Sequence, residues 1–343
     1  MEKLADILMR RSRKSFEKTT SEYTFYDDEG QIIYNSLLNL NIAEVSLHEV
    51  ITKNVFKGID YYNLVPWVPL WVREAGHSQE GVMSQLDFEK KIKQNDNELT
   101  NKFLYYYDCE MLMSAFQNRT QVINHQMNRI FEYLTPKLNR HIDEYEEFVF
   151  GIDSDGIDVY SYIHSLIITL ASIFDLITKV AYELQEMHKV SFEHYPSLRS
   201  SNIIYGKKTS LNDALRIEGT LFSNNEMTCV RQIESLRDEI VHNGSLDFHY
   251  FLYHGLIGEK VENEIFFPDM TNSGRLVCCK QRRMFYSDCQ KTFNVELPKL
   301  VNEVIACLKS TVNLLISKFD CEWTVNDQET KNYQTEIKGW YRL

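Results

Sequence analysis

The sequence predicts a mainly α-helical protein with a short β-rich insertion. Only six prolines and 13 glycines interrupt 343 residues, so long helices are expected. Apolar residues recur at three- and four-residue spacings through residues 84–138 and 158–187, as in helices that bury one face. Short runs of β-forming residues, separated by turn residues, are concentrated at about 246–290, which places the insertion there.

The N-terminal half is predicted to be α-rich and to contain a small hairpin. A first helix is expected over residues 4–18. Residues 23–26 and 31–34 are rich in aromatic and β-branched side chains, and they flank an acidic turn that ends in Gly30. Two short strands around a turn are therefore expected, and a helical pattern returns over residues 36–55.

A domain boundary is predicted near residue 150. Residues 84–138 have the pattern of a helical hairpin, and the segment 151–156 that follows is rich in Gly, Asp and Ser, as linkers are. We therefore expect an N-terminal helical domain of unassigned role over residues 1–150 and a second domain over residues 151–343.

The second domain is predicted to contain three helices before the β-rich insertion and one after it. The apolar spacing predicts these helices over residues 158–187, 211–221, 225–242 and 297–319. The last helix before the insertion is followed by Gly244, a residue that suits the left-handed conformation common just past a helix end.

The composition predicts a soluble cytoplasmic protein without a membrane span. The N-terminus lacks the basic and apolar regions of a signal peptide, and the longest apolar run, residues 163–177, is interrupted by polar side chains. The seven cysteines are odd in number and lack a repeated close spacing, which indicates reduced thiols.

The net charge of −12 excludes binding of long duplex nucleic acid by bulk electrostatics. Any contact with nucleic acid must therefore be local. Small basic clusters occur at residues 10–14, 207–208 and 280–283, although clusters of this size are also common on solvated surfaces.

No metal site or cofactor is predicted. The residues with the right chemistry are those that gather in and near the insertion: His249, His254, Cys278, Cys279 and Cys289. A structural zinc site shows paired ligands two to four residues apart, and the adjacent Cys278 and Cys279 do not have that spacing.

The segment with the clearest chemical pattern is the end of the helix predicted over residues 225–242. Arg237 is followed by Asp238, and His242 comes four intervening residues after Arg237, just before Asn243. This arrangement resembles the motif of the HEPN (higher eukaryotes and prokaryotes nucleotide-binding) ribonuclease superfamily. In that motif an Arg precedes a His by four to six residues, and Asn, Asp or His commonly follows the Arg. The resemblance covers about residues 158–319.

The resemblance implies an antiparallel helical bundle, a homodimer with a composite cleft, and a metal-independent endoribonuclease that cleaves RNA by 2′-hydroxyl attack. Such proteins act in toxin, antiviral-defence or stress-response roles. RNA, with tRNA among the candidates, is the expected substrate, and a regulatory protein or a nucleotide is a candidate trigger. Asp175, on the first long helix, matches the acidic or polar residue that the family often places opposite the Arg. The β-rich insertion departs from the minimal bundle and leaves substrate access open.

Elementary chemistry is consistent with these roles. A histidine whose pKa is about 6.5 can transfer protons near neutral pH, and an Arg fork suits phosphate oxygens. Five residues on a straight helix correspond to about 500°, so Arg237 and His242 would diverge by about 140°. Either His242 turns inward at the helix end, or two protomers bring their pairs together. Arg231, Asp238 and Asn243 are candidate substrate-binding residues, and each also has a structural explanation.

A second interpretation remains open. Arg237 can simply bridge to Glu234 or Glu239, His242 can cap the helix, and Asp175 can lie on a solvent edge. The protein would then be a catalytically silent helical scaffold that binds a partner protein or a nucleotide.

Overall fold

A computed structural model of the chain describes residues 28–135, 148–151, 154–257, 260–288 and 291–339. Within these residues the fold is mainly α-helical, as predicted. The helix expected over residues 4–18 and the strand expected over 23–26 lie outside the described residues.

Long helices dominate the described chain. They are α1 (Asp28–Val55), α2 (Tyr61–Leu64), α3 (Leu70–Glu74), α4 (Gln85–Gln94), α5 (Glu98–Leu134), α6 (Ser154–Glu186), α7 (Thr228–Asn243), α8 (Phe293–Phe319) and α9 (Asp327–Gly339). Short 3-10 turns lie at Val65–Trp67, Met187–Lys189, Tyr205–Ser210 and Asp213–Leu215.

Two small antiparallel sheets accompany the helices. Their strands are β1 (Phe148–Gly151), β2 (Leu252–Ile257), β3 (Lys260–Glu264), β4 (Cys278–Cys279) and β5 (Arg283–Met284). In the first sheet β2 lies between β1 and β3, and the second sheet is the β4–β5 hairpin.

The chain forms two compact units, and each is assembled from three separate segments. The first unit comprises Met1–Leu40, Arg119–Ile173 and Ser223–Lys309, and the second comprises Asn41–Asn118, Phe174–Phe222 and Ser310–Leu343. The boundary predicted near residue 150 lies inside the segment Arg119–Ile173 of the first unit. Helices α1, α5, α6 and α8 each contribute residues to both units.

The core of the first unit is built from one face of each of its helices. α7 buries side chains at three- and four-residue spacings, namely Cys229, Val230, Ile233, Leu236 and Ile240. The same spacing on α6 and α8 buries Val159, Ile163, Leu166, Leu170, Leu297, Val301, Val304 and Leu308. Each large apolar side chain buried in this way contributes about 1.5–3 kcal/mol, so packing fixes which face of α7 meets solvent.

The core of the second unit is aromatic and contains a buried carboxylate. The ring of Phe56 lies 4.9 Å from that of Tyr61 and 4.8 Å from that of Phe103, measured between centroids. Glu183 is 2% exposed and accepts a hydrogen bond from the hydroxyl of Tyr105 at 2.6 Å. This bond satisfies a group whose burial would otherwise be costly.

The hairpin predicted in the N-terminal half is wrong where the structure describes it. Residues 31–34 form the first turns of α1 and are not a strand. Ile33, Leu37, Leu40 and Leu47 are buried at helical spacings. A stretch of four β-forming residues is too short to reveal its period, and the apolar face that continues beyond it determines the conformation.

The helix predicted over residues 211–221 is also wrong. Only the 3-10 turn Asp213–Leu215 forms there, and the side chain of Asn212 accepts a hydrogen bond from the backbone of Ala214. Gly219 has φ +81°, a conformation that a helix does not contain. Residues that favour turns therefore outweigh the apolar spacing.

The other helices of the predicted second domain are confirmed with small shifts in their ends, as α6, α7 and α8. The β-rich insertion predicted at about 246–290 is also confirmed, since β2 to β5 all lie there, between α7 and α8.

Two described helices, Ser154–Lys189 and Phe293–Phe319, are long and apolar enough to cross a membrane by length and composition. About half of the most apolar stretch of each, 56% and 50%, is buried inside the folded chain. Core helices of soluble proteins satisfy the same test, so two such helices are a weak indication of a span. The first of them contains residues 163–177, where the sequence predicted none.

Candidate functional site

Helix α7 presents the residues of the predicted motif on its solvent side. Its opposite face is buried, and the helix ends at Gly244, which has φ +101°. The backbone N–H of Gly244 donates to the carbonyl of Glu239 at 3.2 Å, which closes the last turn. The predicted glycine stop is therefore confirmed, and the direction in which α7 ends is fixed by its own backbone.

Arg237 and His242 do not converge within one chain. α7 continues through Asn243, so His242 lies in a regular last turn and the divergence of about 140° applies. Both side chains reach solvent: His242 is exposed, and the side chain of Arg237 is 43% exposed. No hydrogen bond or ion pair joins the two within the described part of the chain.

Arg237 is held by its neighbour. Its Nη1 lies 2.7 Å from Oδ1 of Asp238, a carboxylate that is 59% exposed. An ion pair this exposed contributes about 0–1 kcal/mol, because water screens both charges. The pair therefore orients the guanidinium of Arg237 but is weak enough for another anion to replace Asp238.

The other candidate residues on α7 have structural partners. Nε of Arg231 lies 3.0 Å from Oε2 of Glu226, and the side-chain amide of Asn243 donates to Oε2 of Glu239 at 2.8 Å. These contacts fix the two ends of the helix and leave both residues less available for substrate than Arg237 and His242.

Asp175 belongs to the other compact unit, whereas Arg237 and His242 belong to the first. Its Oδ1 accepts a hydrogen bond of 2.7 Å from the backbone N–H of Tyr205. This bond orders the start of the 3-10 turn Tyr205–Ser210. The structure thus gives Asp175 a local structural partner.

The loop that follows α7 is fixed by Asp247, a residue that the sequence did not single out. Its carboxylate accepts hydrogen bonds from the hydroxyl of Tyr160 at 3.1 Å and from the backbone N–H groups of His249 and Phe251 at 3.0 and 3.3 Å. Burial raises the pKa of Tyr160, so the phenol stays a donor. The loop beyond His242 is therefore rigidly attached to α6.

A second histidine, His164, supports the same loop. Its Nε2 accepts a long hydrogen bond of 3.5 Å from the backbone N–H of Leu246. Burial lowers the pKa of His164, which favours the neutral ring that such an acceptor requires. The hydroxyl of Tyr286 donates to the carbonyl of Leu246 from the insertion side. These contacts join segments that are far apart in the sequence, so no local motif predicts them.

The first unit also contains a cavity of about 470 Å³ beside the start of α7. It is lined by Met227, Thr228, Cys229, Gln232, Phe267, Glu296, Lys299, Leu300 and Glu303. Burial raises the pKa of the Cys229 thiol to about 11, so the thiol is protonated at neutral pH. Two glutamates against one lysine do not favour a phosphate-bearing ligand there.

The described residues contain no group of three or more His, Cys, Asp or Glu side chains placed to hold a metal ion. Cys278 and Cys279 are exposed on β4. Cys289 and the side chain of His254 lie outside what the structure describes.

The chain matches no family model, no curated protein and no solved structure. Its function is therefore argued from its own residues.

Proposed function

We propose that the protein is a metal-independent endoribonuclease of the HEPN type that acts in the cytoplasm, in a toxin, antiviral-defence or stress-response role. The observation that carries the proposal is the exposure of both Arg237 and His242 on the last turns of a helix whose other face is buried. A solvated Arg fork and a solvated His at a fixed helix end are the groups that RNA transesterification requires.

In the proposed reaction, the 2′-oxygen of the substrate attacks the adjacent phosphorus while its proton passes to a histidine. The bond from phosphorus to the 5′-oxygen breaks, that oxygen takes a proton from water, and the histidine releases the proton it accepted to solvent. The products are a 2′,3′-cyclic phosphate and a 5′-hydroxyl. Arg237 stabilises the charge that develops on the phosphorane oxygens, as a planar donor pair does for phosphate.

The active unit of the proposed enzyme is a homodimer. Within one chain the two side chains diverge by about 140°, so one RNA phosphate cannot be reached by both in the same way. A two-fold axis beside the end of α7 would place the Arg237 of one protomer opposite the His242 of its partner. The exposed Val241, 49% accessible, lies between the two residues and is available for such a contact.

The ion pair between Arg237 and Asp238 does not prevent this role. Opening it costs at most about 1 kcal/mol, whereas a charge-assisted hydrogen bond to phosphate is worth about 1.5–3 kcal/mol. The incoming phosphate therefore outcompetes Asp238.

The second candidate function is a catalytically silent scaffold that binds a partner protein or a nucleotide. It is favoured by the same ion pair and by the net charge of −12, which opposes nonspecific RNA binding. The two functions differ in the role of His242, because the ribonuclease requires it for proton transfer and the scaffold does not.

The test is cleavage of total RNA and of a tRNA pool by the purified protein in excess EDTA. Wild type is compared with Arg237→Ala and His242→Ala, and with the matched controls Arg119→Ala and His188→Ala. Both control residues are exposed on the surface of the described chain.

Cleavage with 2′,3′-cyclic phosphate ends, lost in Arg237→Ala and His242→Ala and kept in both controls, supports the proposal. Equal cleavage by all five proteins, or no cleavage by a folded wild type, contradicts it. The latter result favours the scaffold.

A further inference from the structure

The insertion contains a local reversal of charge. Between residues 270 and 287 it has four cationic residues and no acidic residue, in a chain of net charge −12. The cations Arg275, Lys280, Arg282 and Arg283 are all exposed. None of their side chains forms an ion pair with another described residue, so this segment is a positive patch on an acidic protein.

The tip of the β4–β5 hairpin projects most of these cations. Lys280 and Gln281 have φ of +50° and +58°, and the backbone N–H of Arg282 donates to the carbonyl of Cys279 at 3.2 Å. Two consecutive left-handed residues are typical of a tight hairpin turn, where Asn and Gly are the usual choices. This hairpin keeps a lysine and a glutamine in such positions, at some cost in backbone strain.

The segments that flank the hairpin contact α7 and the loop that follows it. The backbone N–H of Leu276 donates to Oγ of Ser235 at 3.0 Å, and the hydroxyl of Tyr286 donates to the carbonyl of Leu246. Ser235 and His242 are seven residues apart, which is about 700° of helix, so they share one face of α7. The residues just before and just after the hairpin, Leu276 and Tyr286, are therefore held at points that precede and follow His242 in the sequence.

Exposed aromatic surface adjoins the cations. Phe285 follows Arg283 by two residues, and its side chain is 44% exposed. Proteins that bind single strands combine cations along the backbone with aromatic rings on which bases stack. Cations and an exposed ring side by side thus match the phosphates and the bases of a single strand.

We propose that the β4–β5 hairpin is the substrate-binding element of this protein, and that Lys280, Arg282 and Arg283 hold the phosphates of single-stranded RNA beside His242. This inference rests on the proposed ribonuclease function and deepens it, because it names the strand-binding surface. It also explains how an acidic chain could bind RNA, since these cations form a local positive patch.

The test measures binding of a fluorescein-labelled single-stranded RNA of about 20 nucleotides by anisotropy, in a His242→Ala background that prevents cleavage. The hairpin variant combines Lys280→Gln, Arg282→Gln and Arg283→Gln. The matched control combines Lys90→Gln, Lys91→Gln and Lys93→Gln on α4. Both remove three cations within four residues and change the net charge equally.

The hairpin variant is expected to bind at least tenfold more weakly at about 100 mM salt, and the control within about twofold of the parent. The slope of log affinity against log salt should fall by about 2 in the hairpin variant, since each phosphate contact to a single strand contributes about 0.7. A second variant, with Lys280→Arg, Arg282→Lys and Arg283→Lys, should retain both affinity and slope.

Equal losses in the hairpin variant and the control would overturn the inference, because general charge would then explain the binding. An unchanged RNA affinity, together with loss of polyglutamate binding in the hairpin variant, would overturn it in favour of an acidic protein partner.

Cleavage of RNA by the wild-type protein distinguishes this inference from the proposed ribonuclease function. Cleavage without hairpin-dependent binding removes this inference alone, and hairpin-dependent binding without cleavage removes the nuclease alone.

Discussion

At the residue scale, the exposed pair of Arg237 and Asp238 determines how readily the proposed site accepts phosphate. Asp238→Asn keeps the side-chain shape and removes the charge that competes for the guanidinium. We expect cleavage to increase by up to about fivefold, the factor that corresponds to about 1 kcal/mol of a screened pair. The measurement is initial rate at fixed RNA concentration. Loss of cleavage in Asp238→Asn would instead assign the carboxylate a role of its own in the reaction.

Another residue-scale prediction concerns His77, in the second unit. Its Nε2 lies 3.0 Å from Oδ1 of Asp108, and that hydrogen bond raises the pKa of His77 against the opposing effect of burial. The carbonyl of Arg73 and the charge of Glu74 act in the same direction. Because the folded-state pKa is raised, the stabilisation is fully present below the unfolded value of about 6.5 and is lost as pH rises through the folded pKa.

His77→Gln is therefore expected to lower the free energy of unfolding by about 1 kcal/mol at pH 5.5 and by less at pH 8.5. Thermal unfolding at the two pH values measures the difference. His188→Gln, at an exposed position, is the control for the loss of a histidine from the surface. An effect of His77→Gln that is equal at both pH values would mean that packing, not charge, is what the histidine contributes.

The sequence could single out Arg237 and His242 as candidates because their signal is local. Arg237 and His242 lie five residues apart on one helix, and a glycine stop follows them. Asp247 and His164 could not be found in this way, because each acts on a segment more than 80 residues away. Their contribution depends on packing between α6 and the end of α7, which no spacing rule encodes.

At the element scale, helices with a long apolar period were predictable and short elements were not. α7 and α8 repeat their apolar spacing over several turns, so these segments are long enough to distinguish a helical period of 3.6 residues from a strand period of 2. Residues 31–34 and 211–221 do not show a repeated apolar spacing of this length. In the first case the helix that follows sets the conformation, and in the second Asn212 and Gly219 set it.

The turn of the β4–β5 hairpin provides an element-scale prediction. A non-glycine residue in the left-handed region costs roughly 1–2 kcal/mol, and glycine recovers part of this at the expense of chain entropy. Gln281→Gly is therefore expected to stabilise the protein by about 0.5–1 kcal/mol and to leave RNA affinity unchanged, since the cations stay. Gln328→Gly, in the helix α9, should destabilise by about 1 kcal/mol. The two variants are compared by urea unfolding. Destabilisation by Gln281→Gly would show that the glutamine side chain makes a contact that outweighs the strain.

At the scale of the whole molecule, the two units are discontinuous in sequence, and this arrangement could not be predicted from linker composition. Residues 151–156 have the composition of a linker, yet Gly151 ends β1 and Ser154 begins α6, and both residues belong to the first unit. A segment rich in Gly, Asp and Ser indicates a turn in the chain. The packing of the long helices determines whether that turn lies between two units or inside one. The net charge, by contrast, is a property of the whole chain, and the prediction that any RNA contact is local rests on it.

The proposed dimer predicts that two inactive variants can restore activity when their chains are mixed. If each active pair combines the Arg237 of one protomer with the His242 of its partner, Arg237→Ala and His242→Ala inactivate both pairs in their own homodimers. A heterodimer of the two variants contains one complete pair and one empty pair. Random exchange makes half of the dimers heterodimeric, so mixing two inactive proteins should restore about a quarter of the wild-type rate. The mixture is assayed after subunit exchange has been verified by fluorescence transfer between differently labelled chains. Exchange without recovered cleavage would mean that both residues must come from the same chain, and the divergence of their side chains on α7 would then have to be resolved by a rearrangement of the helix end.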